Sequence, residues 1–517
     1  MSSSICTSNV TSGFIDLATF DEIEKYMYGG PDATAYFVRE TRKATWFTQV
    51  PVCLSRASGT PAFGQEWSVS ISRAGDYLLE TWLRLQTPVV TASSVNSTLG
   101  TGAIAWTPNF MHNLIKECAI TFNDLVAARF DNYHLDFWSA FTVPAGKRNG
   151  YNNMIGSFPD MTNFTFSKPS FTLNLPLPFF YTRDSGVALP TAALPYNDMR
   201  IQFSFRDWTE LLLVLLGTET ASPTLVDNAI IGNANSGSIL NSSNMNLGNN
   251  TQVWANYAIV SNDERKRMAC APRDILIEQV QTAPRTSLKT SESSSQQVDI
   301  RFSHAIKVLF FSGRNKSVSN LWSNYTSETP VVSWTLNVVG DGDGPDYTRP
   351  VGTVVEFYSN GNAPLDPIKS TSLIYENTQR LNDMGSDYYS LVNPYYHAPV
   401  IPDVTGYHMY SYSLDFICLD PMGSTNYGKL TNVSINPTPS DAAVDSTVPQ
   451  ISTVETDAVK STFEFIVTAV NNNIIRISGG ALGKHGKPKT GRCFNRCGKT
   501  IKGKHFNTTK NHTRIVC

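Results

Sequence analysis

Alternation of apolar and polar residues with a period of two recurs along most of this 517-residue chain, which points to strands buried on one side. In Tyr77–Gln86, Leu79, Thr81, Leu83 and Leu85 share one face, while Glu80, Trp82, Arg84 and Gln86 share the other. Trp67-Ser-Val69-Ser-Ile71 alternates before it, with Arg73-Ala-Gly75-Asp76 between, and the segment predicts a hairpin. Ile201-Gln-Phe203-Ser-Phe205, Val253–Ile259 and Val298-Asp-Ile300-Arg-Phe302 repeat the pattern. Helical periods are few, and Gly, Pro, Asn and Ser punctuate the rest. The fold class is all-β, of the sandwich kind.

A faint duplication organises the strands. Cys118–Asp124 ends one strand and is followed by the aromatic segment Asp131–Trp138; Thr371–Asn377 ends another and is followed by Ser386–Leu391. After these, Leu177–Tyr181 leads through Pro195–Met199 into Arg200–Phe205, and Asn393–His397 leads through Gly406–Met409 into Tyr410–Phe416. The order predicts two copies of one β-domain, with the boundary near the charged connector Asp263-Glu-Arg-Lys-Arg267. The domains are expected at 45–265 and 266–483, flanked by an N-terminal segment, 1–44, and a tail, 484–517. In the N-terminal segment Thr19-x-x-Glu22 reads as a capping box, with Phe20, Ile23 and Met27 on one face and Gly29-Gly30 as the stop. The loop-rich stretches Pro159–Thr172, Gly217–Gln252, Ser312–Thr353 and Asn436–Asp457 are expected at the surface.

Charged residues make up only 16%, below the roughly 25% of ordinary soluble domains, and 41 Lys+Arg nearly balance 43 Asp+Glu. That balance argues against a polyanion-wrapping protein. The many aromatics suggest surface covered by partners. The tail is different: its ten basic residues stand alone, leaving the body at −12. No basic region followed by an apolar run opens the chain, so no signal peptide is expected, and the longest apolar run, Leu211–Leu216, is too short to span a membrane. Eight scattered cysteines fit buried thiols in a reducing compartment. Sequons such as those at Asn163 and Asn324 are then read as chance.

Chemical motifs fall short one by one. Gly498-Lys499-Thr500 lacks the glycine that a phosphate loop needs at position 493. Asp341-Gly-Asp343-Gly-Pro345-Asp346 lacks the ligand and the glycine of a calcium loop at its fifth and sixth positions. Cys493, Cys497, His505 and His512 have the chemistry of zinc ligands but not a finger's spacing. His304 reads as structural, and Asp263–Arg267 as a solvated connector. No His-Glu-x-x-His or Gly-x-Ser-x-Gly occurs. No catalytic residue, metal ligand or cofactor is therefore expected, and no enzyme. On the residues alone a sugar-binding β-sandwich or adhesin is the rival reading.

Several stretches in fixed order resemble one family. They include Val10-Thr-Ser-Gly-Phe14-Ile-Asp16, Ser72-Arg-Ala-Gly-Asp76-Tyr77, Phe122-Asn-Asp-Leu-Val-Ala-Ala-Arg129 and Arg183-Asp-Ser-Gly-Val-Ala-Leu-Pro190. Arg301-Phe-Ser-His304, Met422-Gly-Ser-Thr-Asn-Tyr-Gly428 and Asn471-Asn-Asn-Ile-Ile-Arg476 continue it. From about Asn9 to Gly483 the chain resembles the iridovirus major capsid proteins, particularly those of invertebrate iridescent viruses. The resemblance implies two tandem eight-stranded antiparallel jelly rolls with short helices in loops. It also implies a homotrimer forming a pseudo-hexagonal capsomer, and an icosahedral shell around an internal membrane, assembled in the host cytoplasm. Neighbouring capsomers and minor capsid proteins are the implied partners, with the N-terminal segment facing membrane or minor proteins, and no direct nucleic-acid contact. The basic tail departs from the family. If it faces inward, it is expected to meet anionic lipid, at about 1 kcal/mol per basic residue.

Overall fold

The computed structural model describes residues 3–483 apart from 40, 42, 92–102, 166, 217–226, 234–244, 248–249, 271–272, 292, 328–330, 337–349, 353–364, 449–458 and 479–480. The chain divides into two compact units, Met1–Trp46 and Phe47–Cys517.

The smaller unit holds helices Ser3–Ala18 and Glu22–Tyr28. The second helix is capped slightly later than the spacing predicts. Asp21, not Thr19, is the N-cap, and its side chain and that of Glu24 form the reciprocal box. Thr19 instead donates its hydroxyl to the Asp16 carbonyl at 2.7 Å, closing the preceding helix. That first helix has no strong apolar stripe, so periodicity does not predict it. Phe14, Ile15, Leu17, Phe20, Ile23 and Met27 are all exposed.

The larger unit carries the duplication in its hydrogen-bond ladders. Its first half has a four-stranded sheet in the order Phe47–Cys53, Gln252–Val260, Tyr77–Gln86, Thr172–Pro176. A second sheet, sharing its core, runs Ser55–Gly59, Glu66–Ser70, Met199–Phe205, Ile115–Phe122, Leu125–Phe130. The second half repeats both. One sheet runs Arg273–Thr282, Phe463–Ser478, Ala305–Asn315, His408–Ser411, and the other Val298–Asp299, Val433–Pro439, Ile368–Tyr375, Thr378–Gly385. All these pairs are antiparallel. This is the double jelly roll. A further sheet mixes the halves: Val331–Leu336 pairs with Asp227–Asn233, which leads through Leu212–Leu216 to Ala103–Trp106.

The ladders revise two sequence expectations. Glu66–Ser70 and Tyr77–Gln86 are not a hairpin; they lie in opposite sheets, because the turn carries the chain across the sandwich instead of back along it. The turn is tight: a Cβ on Gly75 would stand 2.5 Å from the Tyr257 Cβ. A bulge pairs Tyr257 with Leu78 and leaves Leu79 out, so Leu78 is buried while Leu79 is only partly so. The duplication is real, but its later elements pair differently. Met199–Phe205 is matched by Val433–Pro439, each pairing with the strand before the tight hairpin. His408–Ser411 is instead the counterpart of Thr172–Pro176, and the expected aromatic strand at Asn393–His397 is helical.

The tight hairpins are the clearest local signature of the duplication. Phe122 pairs with Leu125 and Tyr375 with Thr378, leaving two-residue turns. Asn123 and Asp124 take φ of 49° and 63°; Glu376 and Asn377 take 47° and 63°. Two successive left-handed residues match the right-handed twist of the flanking strands. Asn tolerates that region and β-branched residues do not. Asn377→Gly is expected to leave the melting temperature unchanged or higher, and Asn377→Val to cost roughly 1–2 kcal/mol, measured by chemical denaturation.

Candidate assembly site: the seam between the two jelly rolls

Ala305–Asn315 is buried along nearly its whole length. Leu309 and Phe311 enter the core of the second roll, whereas Val308 and Phe310 join the core of the first. A strand buried on both faces needs a near-continuous apolar run, and Ile306–Phe311 is one, interrupted only by Lys307. The sheet that walls the second roll is thus also the floor on which the first roll stands.

The first roll meets that floor with the helix Asn132–Thr142. Asp131 caps it, accepting from the His134 amide at 2.9 Å. Ten of its eleven residues are buried, so it is packed all round rather than on one face. Phe137 and Phe141 stack on Phe310, with ring centroids 6.0 and 5.4 Å apart, and Trp138 meets Phe416 edge-on at 5.7 Å. This helix is the aromatic segment Asp131–Trp138 of the sequence pattern. Its role as a wedge between the rolls is not legible there.

Three polar clasps cross the seam. In the first, Glu278 is buried between the Arg183 guanidinium at 3.0 Å and the Lys307 ammonium at 2.7 Å. The β-bulge at Lys307 aims its side chain here, where it also donates to the Cys418 carbonyl at 2.6 Å. Arg183 lies 3.6 Å from the Trp138 ring centre. In the second, Trp322 sits between Arg206 of the first roll and Arg314 of the second, at 3.6 and 3.7 Å. Two guanidiniums cannot share one ring face at that distance, so each takes its own. Arg206 also donates to the Asn113 carbonyl and the Asn132 side chain, and Arg314 to Tyr133. In the third, Asp136 accepts four hydrogen bonds: from Asn109 (3.1 Å) and His112 (2.7 Å) on one oxygen, and from Ser323 (2.6 Å) and Tyr325 (2.9 Å) on the other.

Ser323, Trp322 and Tyr325 belong to the stretch Ser312–Thr353, whose loop-like composition predicts a surface position. Its first part is instead locked into the seam: Leu321, Trp322 and Tyr325 are buried. The signal is present in that cluster of large apolar side chains, but loop composition masks it. Gly406 completes the fit, with φ of 95° and no room for a Cβ, which would meet the Tyr325 carbonyl oxygen at 2.0 Å.

Two arrangements invite a catalytic reading, and geometry answers both. Ser386, His408 and Asp366 touch one another, but serine and carboxylate share the same nitrogen, Nε2, while Nδ1 has no partner. A relay needs the acid on one nitrogen and the hydroxyl on the other. His112 does bridge Asp136 and the Tyr151 hydroxyl through its two nitrogens, at 2.7 Å each. There the hydroxyl is a phenol, held protonated by burial with Asp136 acting in the same sense. A cleft of about 530 Å³ opens beside this cluster, lined by Arg148, Asn152, Asn324, Asp403 and Tyr407 among others.

The remaining sequence candidates scatter. His304 adopts φ of 65° immediately before the strand Ala305–Asn315, and its carbonyl accepts from the Tyr427 amide. The charged connector forms the helix Asn262–Cys270, and it is not wholly solvated: Arg265 makes two 2.8 Å bonds to Asp76. Burial works against ionisation of Asp76, but Arg265 and the Val260 amide outweigh it and hold its carboxyl below the ordinary value. The calcium-like loop Asp341–Asp346, the phosphate-loop-like Gly498–Thr500, the zinc candidates Cys493, Cys497, His505 and His512, and the tail lie outside the described residues.

Comparison with known proteins decides what this architecture is. A family described as large eukaryotic DNA virus major capsid protein matches residues 264–483, and one described as major capsid protein N-terminus matches 35–260. The major capsid protein of Costelytra zealandica iridescent virus is 60% identical over 487 residues, covering 93% of this chain and 99% of that relative. The chain belongs to the major capsid proteins of large eukaryotic DNA viruses. The major capsid protein of Wiseana iridescent virus is 59% identical, across 92% of this chain and 94% of its own. The PBCV-1 virus capsid shares the fold at a TM-score of 0.64 and 20% identity, covering 87% of this chain and 99% of that one. The function is structural: the protein builds the capsid shell, and its place is the virion. The family match ends at Gly483, where the basic tail begins.

The seam also contains a buried base. His134 is fully enclosed, and neither ring nitrogen has a hydrogen-bond partner. Burial pushes its imidazole down to about 3, and the nearby Arg183 acts in the same direction. The unfolded chain takes up this proton near pH 6.5 and the folded chain does not, so stability falls as pH drops below about 6.5. His134→Leu is expected to flatten the fall between pH 7 and 5, gaining roughly 2 kcal/mol at pH 5 relative to wild type, read from denaturation curves at both pH values. Glu278→Gln is expected to cost roughly 3–5 kcal/mol, since it leaves Arg183 and Lys307 buried without a counter-charge; adding Lys307→Met to it should recover part of the loss in the same assay.

Proposed function

We propose that three copies of this chain associate into a capsomer of six jelly rolls, from which the shell is tiled. The observation that carries this reading is the seam itself. It joins two copies of one topology through unlike surfaces, the helix of one roll and the sheet of the next. Such heterologous contacts between like modules propagate, and a ring is the arrangement in which they close. Obligate interfaces of this kind bury roughly 2,000–5,000 Å² in total. Contacts between capsomers are weaker singly and gain strength from number.

The reading has finer parts. The rolls occupy about 45–265 and 266–483, with the connector helix as the hinge point of the duplication. The segment 1–44, with its exposed Phe14, Ile15, Leu17, Ile23 and Met27, faces the internal membrane or minor capsid proteins. Nucleic acid is not contacted directly, and assembly takes place in the host cytoplasm. No side chain performs covalent chemistry, and no cofactor or metal is needed; the Ser386–His408–Asp366 contact is a structural clasp. Light scattering on the purified chain is expected to give three times the 57.0 kDa chain mass, with a pseudo-six-fold outline in electron micrographs. A monomer at micromolar concentration would overturn the reading.

A further inference from the structure

The long insertions of both rolls leave from one end. In the first roll Gln86 lies opposite Thr172, Arg84 opposite Gln252 and Ile115 opposite Phe205, with Phe130 beside Cys118. The segments 87–114, 131–171 and 206–251 therefore start and finish together. In the second roll Asn315 lies opposite Phe463 and Ile368 opposite Pro439, while Ser370 pairs with Gly385 and Phe311 with His408. That gathers 316–367, 386–407 and 440–462. Val331–Leu336 pairs with Asp227–Asn233, which joins an insertion of each roll, so the two ends coincide. The opposite end carries the tight turns Asn123-Asp124 and Glu376-Asn377.

The cleft of about 530 Å³ beside the Asp136 clasp is built from four of these insertions, two from each roll. Asn109 comes from 87–114, Asn152 and Ser157 from 131–171, Asn324 from 316–367 and Asp403 from 386–407. Loops held on a rigid scaffold are where proteins place binding groups. The volume falls within the roughly 300–1,000 Å³ of small-ligand sites.

The chemistry of the lining selects the ligand. Asp136 is closed to it, because its two oxygens already accept four hydrogen bonds. Arg148 is committed as well: its guanidinium donates to the carbonyls of Ser139 at 3.0 Å and Ala140 at 2.8 Å. The lining has no other cation, so a phosphate or carboxylate ligand would find no free counter-charge. Asn152, Ser157 and Asp403 are different. Among the described residues their side chains have no hydrogen-bond partner, and an amide, a hydroxyl and a carboxylate stand open. Asp403 is exposed, and a single solvent-screened charge is a weak anchor for a cation. Amides and hydroxyls both donate and accept, so the matching ligand is neutral and carries several groups that do the same. Pro402, Val404 and Tyr407 add apolar lining suited to C–H faces.

We infer that this cleft binds a neutral pyranose, the terminal unit of a glycan. Vicinal hydroxyls of the sugar donate to Asp403 and exchange hydrogen bonds with Asn152 and Ser157, while its C–H face lies against the apolar lining. The site spans both rolls, so it exists only once the seam has formed. It goes beyond the trimer reading and does not need it, since every lining residue belongs to one chain.

The test applies the purified full chain to an array of immobilised glycans ending in neutral hexoses and N-acetylhexosamines. The strongest ligand is then titrated as its methyl glycoside. Asp403→Ala is expected to weaken binding at least about tenfold. Asn152→Trp, which fills the cleft, is expected to abolish it. Both positions lie outside the cores, so the melting curves should stay close to wild type. In the unaltered chain, a photoactivatable diazirine derivative of the same glycoside is expected to label 148–157, 321–326 or 402–407, a readout that needs no variant to fold. No binding anywhere on the array, label confined to other segments, or binding unchanged in both variants would overturn the site.

Discussion

A single sheet with no free face organises this molecule. The strands Arg273–Thr282, Phe463–Ser478, Ala305–Asn315 and His408–Ser411 close the second jelly roll on one side and carry the first on the other. Period-two geometry makes this possible, since successive residues of one strand serve two cores. It also makes the rolls inseparable. Pulling them apart would expose Phe310, Phe137, Phe141, Trp138 and Phe416 together, and large aromatic side chains are worth roughly 1.5–3 kcal/mol each when buried. Both rolls fall within one compact unit, Phe47–Cys517.

The polar clasps complement that apolar contact. Hydrophobic packing is non-directional and tolerates sliding; a buried charge does not. Glu278 between two cations, Trp322 between two guanidiniums and Asp136 with four donors each demand one registration of the rolls. Moving either roll by a few ångströms would leave ions buried without partners, which is strongly unfavourable. The orientation of the rolls relative to each other is fixed by these groups.

His134 stands out against that background. Asn132, Tyr133, Asp136 and Ser139 of the wedge helix all have side-chain hydrogen-bond partners, but both nitrogens of this ring are bare. Its neighbours are Phe130, Trp138 and the Arg183 side of the first clasp. A neutral imidazole is tolerated there as an aromatic filler, whereas an imidazolium has no acceptor to turn to. The seam thus tolerates acid less well than an apolar contact of the same size.

Much of this is legible in the order of the amino acids alone. Alternation announces strands, and Asn123-Asp124 and Glu376-Asn377 mark the repeat. Those signals are local: side-chain period and turn chemistry act over a few residues. Which strand lies beside which is not a local property. Trp67–Ile71 and Tyr77–Gln86 look like a hairpin, because alternation is the same whether a chain turns back along its sheet or crosses to the facing one. Asn132–Thr142 announces its aromatics but not their destination, and the burial of Trp322 and Tyr325 is hidden inside loop-like surroundings. Pairing partners and the buried seam are set by contacts between residues from a few dozen to some two hundred positions apart, and only the packed chain brings those together.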